Sequence, residues 1–189
     1  YNKNKNMTSI NTDIELVKLK ENAFDHIYSR FGVMFFNNPV IAFKNMYSSL
    51  KKGGDLTFVC WTNFKNNQFH SIPVNALKKV ANFKIQKITN TPGPFAFHEK
   101  KYIIKILKKS NFKNFKIKNI KTTLKSNTID VDNEIMMQIG TAAKVLRSNK
   151  ASKIIFTKVK NIILKKIKKE IFNKQLEYKA NIFLVKAIK

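Results

Sequence analysis

Residues 24–61, FDHIYSRFGVMFFNNPVIAFKNMYSSLKKGGDLTFVCW, decide the fold. Residues 24–29 and residues 56–61 are two apolar-rich runs of strand length. Between them, Pro39 suits the first position of a helix, and apolar residues recur at steps of three and four: Val40, Phe43, Tyr47 and Leu50. The pattern predicts strand, helix and strand, and such a unit forms a right-handed crossover between two parallel strands.

The ends of the predicted helix have local causes. Asn37 or Asn38 can accept a hydrogen bond from the free amides of the first turn. Lys51 and Lys52 lie where the helix dipole favours cations, and Gly53 can adopt the left-handed conformation that ends a helix. The second strand is apolar on both faces, which predicts a sheet covered by helices on both sides.

Short motifs in this unit resemble a known family. SRFGVMFF at residues 29–36, KGG at residues 52–54 and FVCW at residues 58–61 are similar to the second half of class I S-adenosylmethionine-dependent methyltransferases. The resemblance is to the small-molecule branch that includes ubiquinone and menaquinone methyltransferases. It implies an α/β fold with a partial Rossmann-like sheet, containing strands 3 to 7 of the family order 3-2-1-4-5-7-6. The last strand is antiparallel, and helices cover both faces.

The resemblance also predicts that the chain is one N-terminally incomplete domain, residues 1–189. The family's glycine-rich loop follows its first strand and holds the methionine part of the cofactor, but no glycine precedes Gly32 here. Too few residues precede Asp13 for two strands, so the first two strands are expected to be missing. The run Met7–Asn11 would be a weak third strand. We therefore expect this chain to be inactive by itself.

Cofactor contacts follow from the same resemblance, which implies S-adenosylmethionine. Asp13 and Ile14 match the pair that holds adenine, where the carboxylate accepts a hydrogen bond from the amino group and the next amide reaches a ring nitrogen. Ser29, Arg30 and Phe31 follow the first predicted strand and would contact the methionine part. Taken without the resemblance, Asp13 also suits a turn and Phe31 also suits core packing.

Four aromatic residues are predicted to bind a small-molecule methyl acceptor. Trp61 and Phe64 follow the carboxyl end of a central strand, where ligands bind in open parallel sheets. Phe95 and Phe97 project from the loop TPGPFAF at residues 91–97, which has a counterpart in the family and suits a lid over the substrate. Burial for stability is the alternative for all four side chains.

No catalytic residue is identified from the sequence. Methyl transfer from a sulfonium requires alignment and exclusion of water, and it requires a base only where the acceptor must lose a proton. Tyr28, His70 and His98 are the candidates for that base, and nothing in their spacing favours one of them. His70 has no partner at metal-ligand spacing, so no metal site is expected.

The formal net charge of +26, from 37 Lys+Arg against 11 Asp+Glu, raises a second class of function. Nucleic acid or an anionic membrane attracts such a chain. However, the lysines are spread over the whole sequence with many Asn, Ile and Phe residues, as in proteins of AT-rich genomes. Arg30 and Arg147 are the only arginines, although arginine is favoured for forked phosphate contacts. Nucleic acid is therefore not the favoured partner.

A membrane surface is the other partner that charge suggests. The predicted basic amphipathic helix at residues 151–172 could lie on anionic lipid, and a solvated face is the favoured interpretation. The alternatives to an enzyme thus remain a basic binding module and a degenerate methyltransferase-like scaffold. Cys60 is the only cysteine, and no apolar run is long enough to span a bilayer, so a cytoplasmic location is expected.

The rest of the chain carries weaker patterns for secondary structure. Apolar periodicity predicts helices at residues 70–80 and 99–109, a helix capped by Asp130 or Asp132 and reaching Leu146, and the long helix at residues 151–172. Alternation of apolar and basic residues predicts a strand at residues 115–124. The final strand is predicted at residues 180–185.

Overall fold

The computed structural model describes residues 8–85, 87–126, 128–172 and 175–189. In chain order its strands and helices are β1 (Phe24–Arg30), α1 (Pro39–Ser49), β2 (Leu50–Trp61), α2 (Gln68–Val80), α3 (Lys100–Lys109), β3 (Asn114–Ser126), α4 (Ile129–Gln138), α5 (Gly140–Ser148), α6 (Lys153–Ile167), β4 (Ile171–Phe172) and β5 (Gln175–Ile188). Single 3₁₀ turns lie at Val33–Phe35, Phe64–Asn66 and Lys168–Glu170.

The sheet has the order β1-β2-β5-β3, with β4 paired to β5 as a short hairpin. Strands β1 and β2 are parallel, with Ile27 opposite Leu56. Strand β5 is antiparallel to β2 on one side and to β3 on the other. In the family's numbering this is the order 4-5-7-6, with an antiparallel last strand inserted beside the penultimate one. The predicted mixed α/β, Rossmann-like fold class is confirmed.

The predicted third strand is wrong for the residues that can be judged. Residues 8–11 make no strand pairing, and Met7 lies outside the described residues. A lone strand has no neighbour to satisfy its backbone, so the segment instead enters a turn at residues 13–17. The Glu15 carboxylate fastens that turn to α1 by accepting hydrogen bonds from the Asn37 and Asn38 amides at 2.7 and 2.6 Å. Asn45 adds two bonds from its side-chain amide to the turn's carbonyls.

Helix α1 begins as predicted and ends earlier. The Asn38 side chain accepts from the Ile41 amide at 3.3 Å, and Pro39 occupies the first position. The helix stops at Ser49, so the lysines and glycines that follow belong to β2 rather than to a helical cap. Gly53 does adopt a positive φ of 81°, and it does so where the β1–β2 register shifts. A Cβ on Gly54 would lie 2.8 Å from the Asp25 carbonyl, which requires glycine there.

Two predicted helices are shorter than expected. The one reaching Leu146 is broken at Gly140, whose φ of 83° separates α4 from α5. Thr128 rather than an aspartate precedes α4. The helix predicted at residues 151–172 ends at Ile167, because Ile171 pairs with Leu176 in the β4–β5 hairpin. Helical periodicity gives no signal for this pairing, which depends on the strand that follows.

Two apolar clusters hold the layers together. On one face of the sheet, α1 and α3 cover Leu56, Phe58 and Val185. On the other face, α2 and α4–α6 pack around Leu176 and Tyr178 of β5. The clusters are the reason that helices lie on both sides. Farther along that second face, Thr57 is half-buried and the lysines Lys116, Lys118 and Lys186 are exposed around a shallow hollow of about 390 Å³.

Asp55 ties three strands together at the amino end of the parallel pair. Its carboxylate is 2.6 Å from His26 Nδ1 on β1 and 3.3 Å from Lys186 Nζ on β5, and it accepts a bond from the Thr57 hydroxyl at 2.9 Å. Burial alone would raise the pKa of Asp55. The hydrogen bonds from Thr57, His26 and Lys186 outweigh that effect and lower it. This end of the sheet is therefore a satisfied structural network.

We predict that Asp55→Asn lowers the free energy of unfolding by about 2 kcal/mol, because it removes hydrogen bonds to a buried charge. Asp25→Asn is the matched control: Asp25 is exposed and its described partner is Lys51 at 2.9 Å, so this substitution is expected to change the free energy of unfolding very little. Urea denaturation measures both. Equal effects of the two substitutions would contradict the structural role of Asp55.

Candidate functional site

A cavity of about 520 Å³ opens at the carboxyl ends of β1 and β2. Ligands of open parallel sheets bind at this edge, because the loops that follow the strands diverge there. Aromatic and apolar side chains form most of the wall, with a few polar groups at one end. The lining residues are Phe31, Met34, Phe35, Trp61, Phe69, His70, Pro94, Leu124, Lys125, Ser126, Asp132, Ile139 and Tyr178.

Phe31 and Trp61 form the wall nearest the parallel strands. Their rings are stacked, with centroids 4.2 Å apart and planes 16° from parallel. Phe31 has a φ of 57°, a left-handed conformation that costs an L-residue about 1–2 kcal/mol. Its amide donates to the Val59 carbonyl at 3.1 Å, which holds the residue in this conformation just beyond β1. Strained backbone held by its surroundings is typical of functional sites.

His70 enters the cavity from the first turn of α2. Its ring meets Trp61 edge-on at a centroid distance of 5.3 Å and Phe95 at 5.0 Å. Removal from water by these rings lowers the pKa of His70 to about 4. The imidazole is therefore neutral at pH 7, and no hydrogen bond joins it to another described residue. A neutral imidazole in an apolar cavity can accept a proton or a hydrogen bond from a ligand.

Asp132 lies at the opposite end of the cavity, in the first turn of α4, and is 5% exposed. The Tyr178 hydroxyl donates to one carboxylate oxygen at 2.7 Å and the Ser126 hydroxyl donates to the other at 2.9 Å. Burial and the neighbouring Asp132 carboxylate raise the pKa of Tyr178, so its hydroxyl stays protonated. These three side chains form a fixed polar end in a wall that is otherwise apolar.

The predicted acceptor residues separate into three positions. Trp61 lines the cavity. Phe95 and Phe64 stand behind its wall, with Phe95 against His70 and the two phenylalanine rings 5.5 Å apart. Phe97 is a correction: it is 1% exposed and packs among Phe43, Phe58 and Tyr102 in the main core, because the loop that carries it folds inward over α1.

The candidates for a general base also separate. His70 lies in the cavity. Tyr28 is exposed on β1 beside His26, away from the cavity. His98 holds its own loop, with Nδ1 2.6 Å from the Phe95 carbonyl oxygen. Only His70 of the three is placed where a ligand in the cavity could reach it.

The residues predicted to hold adenine lie in the turn that Glu15 joins to the start of α1. One Asp13 oxygen accepts a turn bond from the Glu15 amide at 2.8 Å. The other oxygen and the Ile14 amide have no partner within the described part of the chain, which leaves both groups available to a ligand. Ile14 itself is half-buried against the main core. The turn predicted as the alternative role of Asp13 is thus present, and it uses only half of the carboxylate.

Ser29, Arg30 and Phe31 lie together at the carboxyl end of β1. Arg30 is exposed and Ser29 half-buried. A Cβ on Gly32 would come within 3.1 Å of the Ser29 hydroxyl oxygen, so glycine keeps the loop close over that group. In type and position these residues fit one side of a nucleoside-bearing sulfonium. The amide-rich glycine cradle that the resemblance calls for has no counterpart in the sequence before Gly32.

Several cavity residues were missed by sequence analysis. Phe69, Ser126, Asp132 and Tyr178 come from four separate elements, and Asp132 and Tyr178 are 46 positions apart. Asp132 was noticed only as a helix cap. A Tyr in a strand and a Ser at a strand end carry no local signal, so their convergence depends on the path of β5 between β2 and β3.

Among the described residues, no group of three or more His, Cys, Asp or Glu side chains could hold a metal ion. The described helices include none that is long and apolar enough to cross a membrane.

The low pKa of His70 makes stability depend on pH. In the unfolded chain the imidazole takes up a proton near pH 6.5, whereas in the folded chain it does so only near pH 4. The contribution of the neutral His70 to the free energy of unfolding is therefore complete above pH 6.5. It decreases as the pH falls to 4, by about 3 kcal/mol at most, because only the unfolded chain takes up the proton in this range. We expect His70→Gln to remove this part of the dependence in urea titrations, and His98→Gln to retain it. Identical pH profiles for wild type and His70→Gln would refute the buried neutral imidazole.

The positive φ of Phe31 is expected to reverse the usual order of stability of glycine and alanine variants at this position. Because an alanine at φ 57° is strained and a glycine is not, Phe31→Gly is expected to be more stable than Phe31→Ala by about 1 kcal/mol. Phe36, with φ of −65°, is the control site, where the glycine variant should be the less stable one. Urea denaturation of the four variants measures these differences. If Phe31→Gly is less stable than Phe31→Ala, the left-handed conformation of Phe31 is ruled out.

A family model described as Methyltransferase domain matches residues 1–58. This match includes Asp13, Ile14, β1, α1 and most of β2. No curated protein matches the chain.

Solved structures with a similar arrangement are methyltransferase-like at low identity. A protein described as a putative methyltransferase (BH2331) from Bacillus halodurans C-125 is 18% identical with a TM-score of 0.49, over 94% of this chain and 69% of its own. YcgJ from Bacillus subtilis is 15% identical with the same score and coverage. Phosphoethanolamine N-methyltransferase 2 from Haemonchus contortus, in complex with phosphomonomethylethanolamine and S-adenosylhomocysteine, is 15% identical with a TM-score of 0.45.

The chain spans 36% of the length of the Haemonchus enzyme and 69% of each of the two bacterial proteins. Likeness at this level carries no information on the role of any single residue. The domain match over residues 1–58 agrees with the predicted resemblance to methyltransferases for that part of the chain.

Proposed function

We propose that the protein to which this chain belongs transfers a methyl group from S-adenosylmethionine to a small-molecule acceptor. The observation that carries the proposal is the 520 Å³ cavity at the carboxyl edge of β1 and β2. It adjoins Ser29, Arg30 and Phe31, the residues expected to face the donor. Its volume lies in the range of small-ligand sites, and its wall offers apolar surface with few polar groups.

The residues present would hold one side of the donor. The Asp13 oxygen and the Ile14 amide, which have no partner among the described residues, are suited to the edge of adenine, and Ser29 to the polar methionine part. When bound, the sulfonium supplies an electrophilic methyl group. The stacked rings of Phe31 and Trp61 limit where an acceptor can lie and keep water from the reacting atoms. Those two functions, alignment and exclusion of water, are what methyl transfer requires of a protein.

We propose further that this chain alone is inactive. No residue before Gly32 is a glycine, so the tight turn that brings backbone amides to the methionine part has no source in this sequence. Titration of labelled S-adenosylmethionine against residues 1–189 is expected to give no binding at micromolar concentration. Micromolar binding would overturn this part of the proposal and leave the rest intact.

Blocking the cavity tests its role in the full-length protein. Ile139 lines the cavity mouth and is 54% exposed, so Ile139→Trp is expected to lower kcat/KM for a small-molecule acceptor about tenfold or more by filling it. Val131→Trp is the matched control, on the helix α4 that ends just before Ile139, 51% exposed and outside the cavity wall. The assay follows labelled methyl groups into a panel of small molecules, an RNA and a protein. Label in RNA or protein alone, or equal effects of both variants, would contradict the proposal.

A further inference from the structure

Two buried carboxylates lie on the same sheet face, and only one has a cationic partner. Asp55 is satisfied by His26 and Lys186, as described above. Asp132 is equally buried, at 5% exposed, but its described partners are the neutral hydroxyls of Ser126 and Tyr178. No Lys, Arg or His of the described chain lies within 4 Å of its oxygens. A buried carboxylate is costly unless a positive charge or a full set of donors compensates it.

After the two hydroxyl bonds, the Asp132 carboxylate can still accept further hydrogen bonds. An ionised carboxylate has about four lone-pair sites, and the two hydroxyl bonds use two of them. The first turn of α4 adds a partial positive charge from the helix dipole, which offsets a fraction of the cost. Asp132 is part of the cavity wall, which brings its carboxylate within reach of a ligand in the cavity. A donor in the cavity could therefore complete the set.

The surrounding wall favours a cation as that donor. Phe31, Phe35, Trp61, Phe69 and Tyr178 contribute aromatic rings to the same cavity. The negative face of an aromatic ring attracts an ammonium group, by about 0.5–2 kcal/mol for each well-placed ring. An anionic ligand would meet both the rings and the carboxylate unfavourably.

Other charged groups near the cavity do not supply this cation. Lys125 lines the wall, but its side chain is 63% exposed and its Nζ lies 3.6 Å from the Glu177 carboxylate. Glu170, which also influences Tyr178, is paired with Lys166 at 2.6 Å. His70, the remaining titratable group in the wall, is neutral at pH 7 for the reason given above.

We propose that the cavity takes a small amine, bound as its ammonium with the charge on the Asp132 carboxylate and the carbon skeleton among the aromatic rings. This deepens the proposed function and rests on it: the small-molecule acceptor carries a positive charge. The negative charge of Asp132 selects the substrate, and the rings set its position. Asp132 holds the ammonium group at the end of the cavity away from Phe31 and Trp61.

Binding can be tested without the donor, because Trp61 is the only tryptophan and lies in the cavity wall. The probes are benzylamine, benzyl alcohol and benzoate, which share a ring and differ in charge at pH 7. Titrations of the full chain follow Trp61 emission, with calorimetry as a second readout. We expect benzylamine to bind about tenfold or more tightly than benzyl alcohol, and benzoate to bind most weakly. Equal or tighter binding of either oxygen-containing probe would overturn the proposal.

Substitutions test whether Asp132 causes the preference for benzylamine. Asp132→Asn keeps the shape and removes the charge, with one of the two hydroxyls accepting from the new amide, and is expected to reduce the preference for benzylamine over benzyl alcohol to about twofold or less. Glu134→Gln is the matched control, because Glu134 is on the same helix and pairs at the surface with Lys160. It is expected to leave the preference unchanged. A preference retained in Asp132→Asn refutes the assignment.

Two further points keep the test decisive. If Asp132→Asn does not fold, Ser126→Ala removes one hydroxyl and retains the carboxylate, and the amine preference must survive in it. Its loss there would contradict a role for the charge. Failure of the amine preference while the full-length protein still methylates another small molecule rejects the acceptor class alone. Amine binding with no methyl transfer by the full-length protein rejects the proposed function instead.

Discussion

Parallel pairing of β1 with β2 is the constraint on which the rest of the structure depends. It brings the carboxyl ends of two strands to one edge, so that Phe31 and Trp61, 30 positions apart, stack at 4.2 Å. The short path of Phe31 beyond β1 is possible only in a left-handed conformation, which the bond to Val59 maintains. The cavity exists because these two residues form its wall and α2, α4 and β5 close it from the other side.

The two ends of the sheet treat charge in different ways. At the amino end, Asp55 joins β1, β2 and β5 through a network in which every partner is part of the fold. At the carboxyl end, Asp132 is equally buried but accepts only hydroxyl bonds within the described chain. A buried charge with its own cation stabilises the fold, whereas one that faces a cavity without a cation is available to a ligand. The presence or absence of a cationic partner therefore distinguishes the structural Asp55 from the candidate site residue Asp132, whereas burial does not.

Much of the fold could be predicted because its signals are local. The apolar run of β1, Pro39 after Asn38 and the apolar strand β2 each follow from neighbouring residues, and their order implies the crossover. The antiparallel insertion of β5 came from the resemblance, since no local pattern specifies which strands a terminal strand joins. Helix ends were less predictable: Gly140 breaks a periodic run, and Ile171 leaves helical periodicity because its partner is Leu176. At Ile171, strand pairing overrides the helical propensity of the local sequence.

The site could be predicted only for residues that lie at the end of a single strand. Phe31 and Trp61 follow strands directly, so their placement could be inferred. Asp132 and Tyr178 meet because β5 returns between β2 and β3, which no spacing in the sequence encodes. Phe97 shows the opposite failure, since an aromatic loop residue that suited a lid is part of the core. Aromatic residues on loops are ambiguous until the packing is known.

A crystal structure of the full-length protein with S-adenosylhomocysteine would test the central claim most directly. The account predicts that the sulfur lies at the end of the cavity formed by Phe31 and Trp61, with adenine against Asp13 and Ile14. The long axis of the cavity would then lead from the sulfur towards Asp132. A product bound elsewhere, such as on the lysine-bearing hollow beside Thr57 and Lys186, would contradict it.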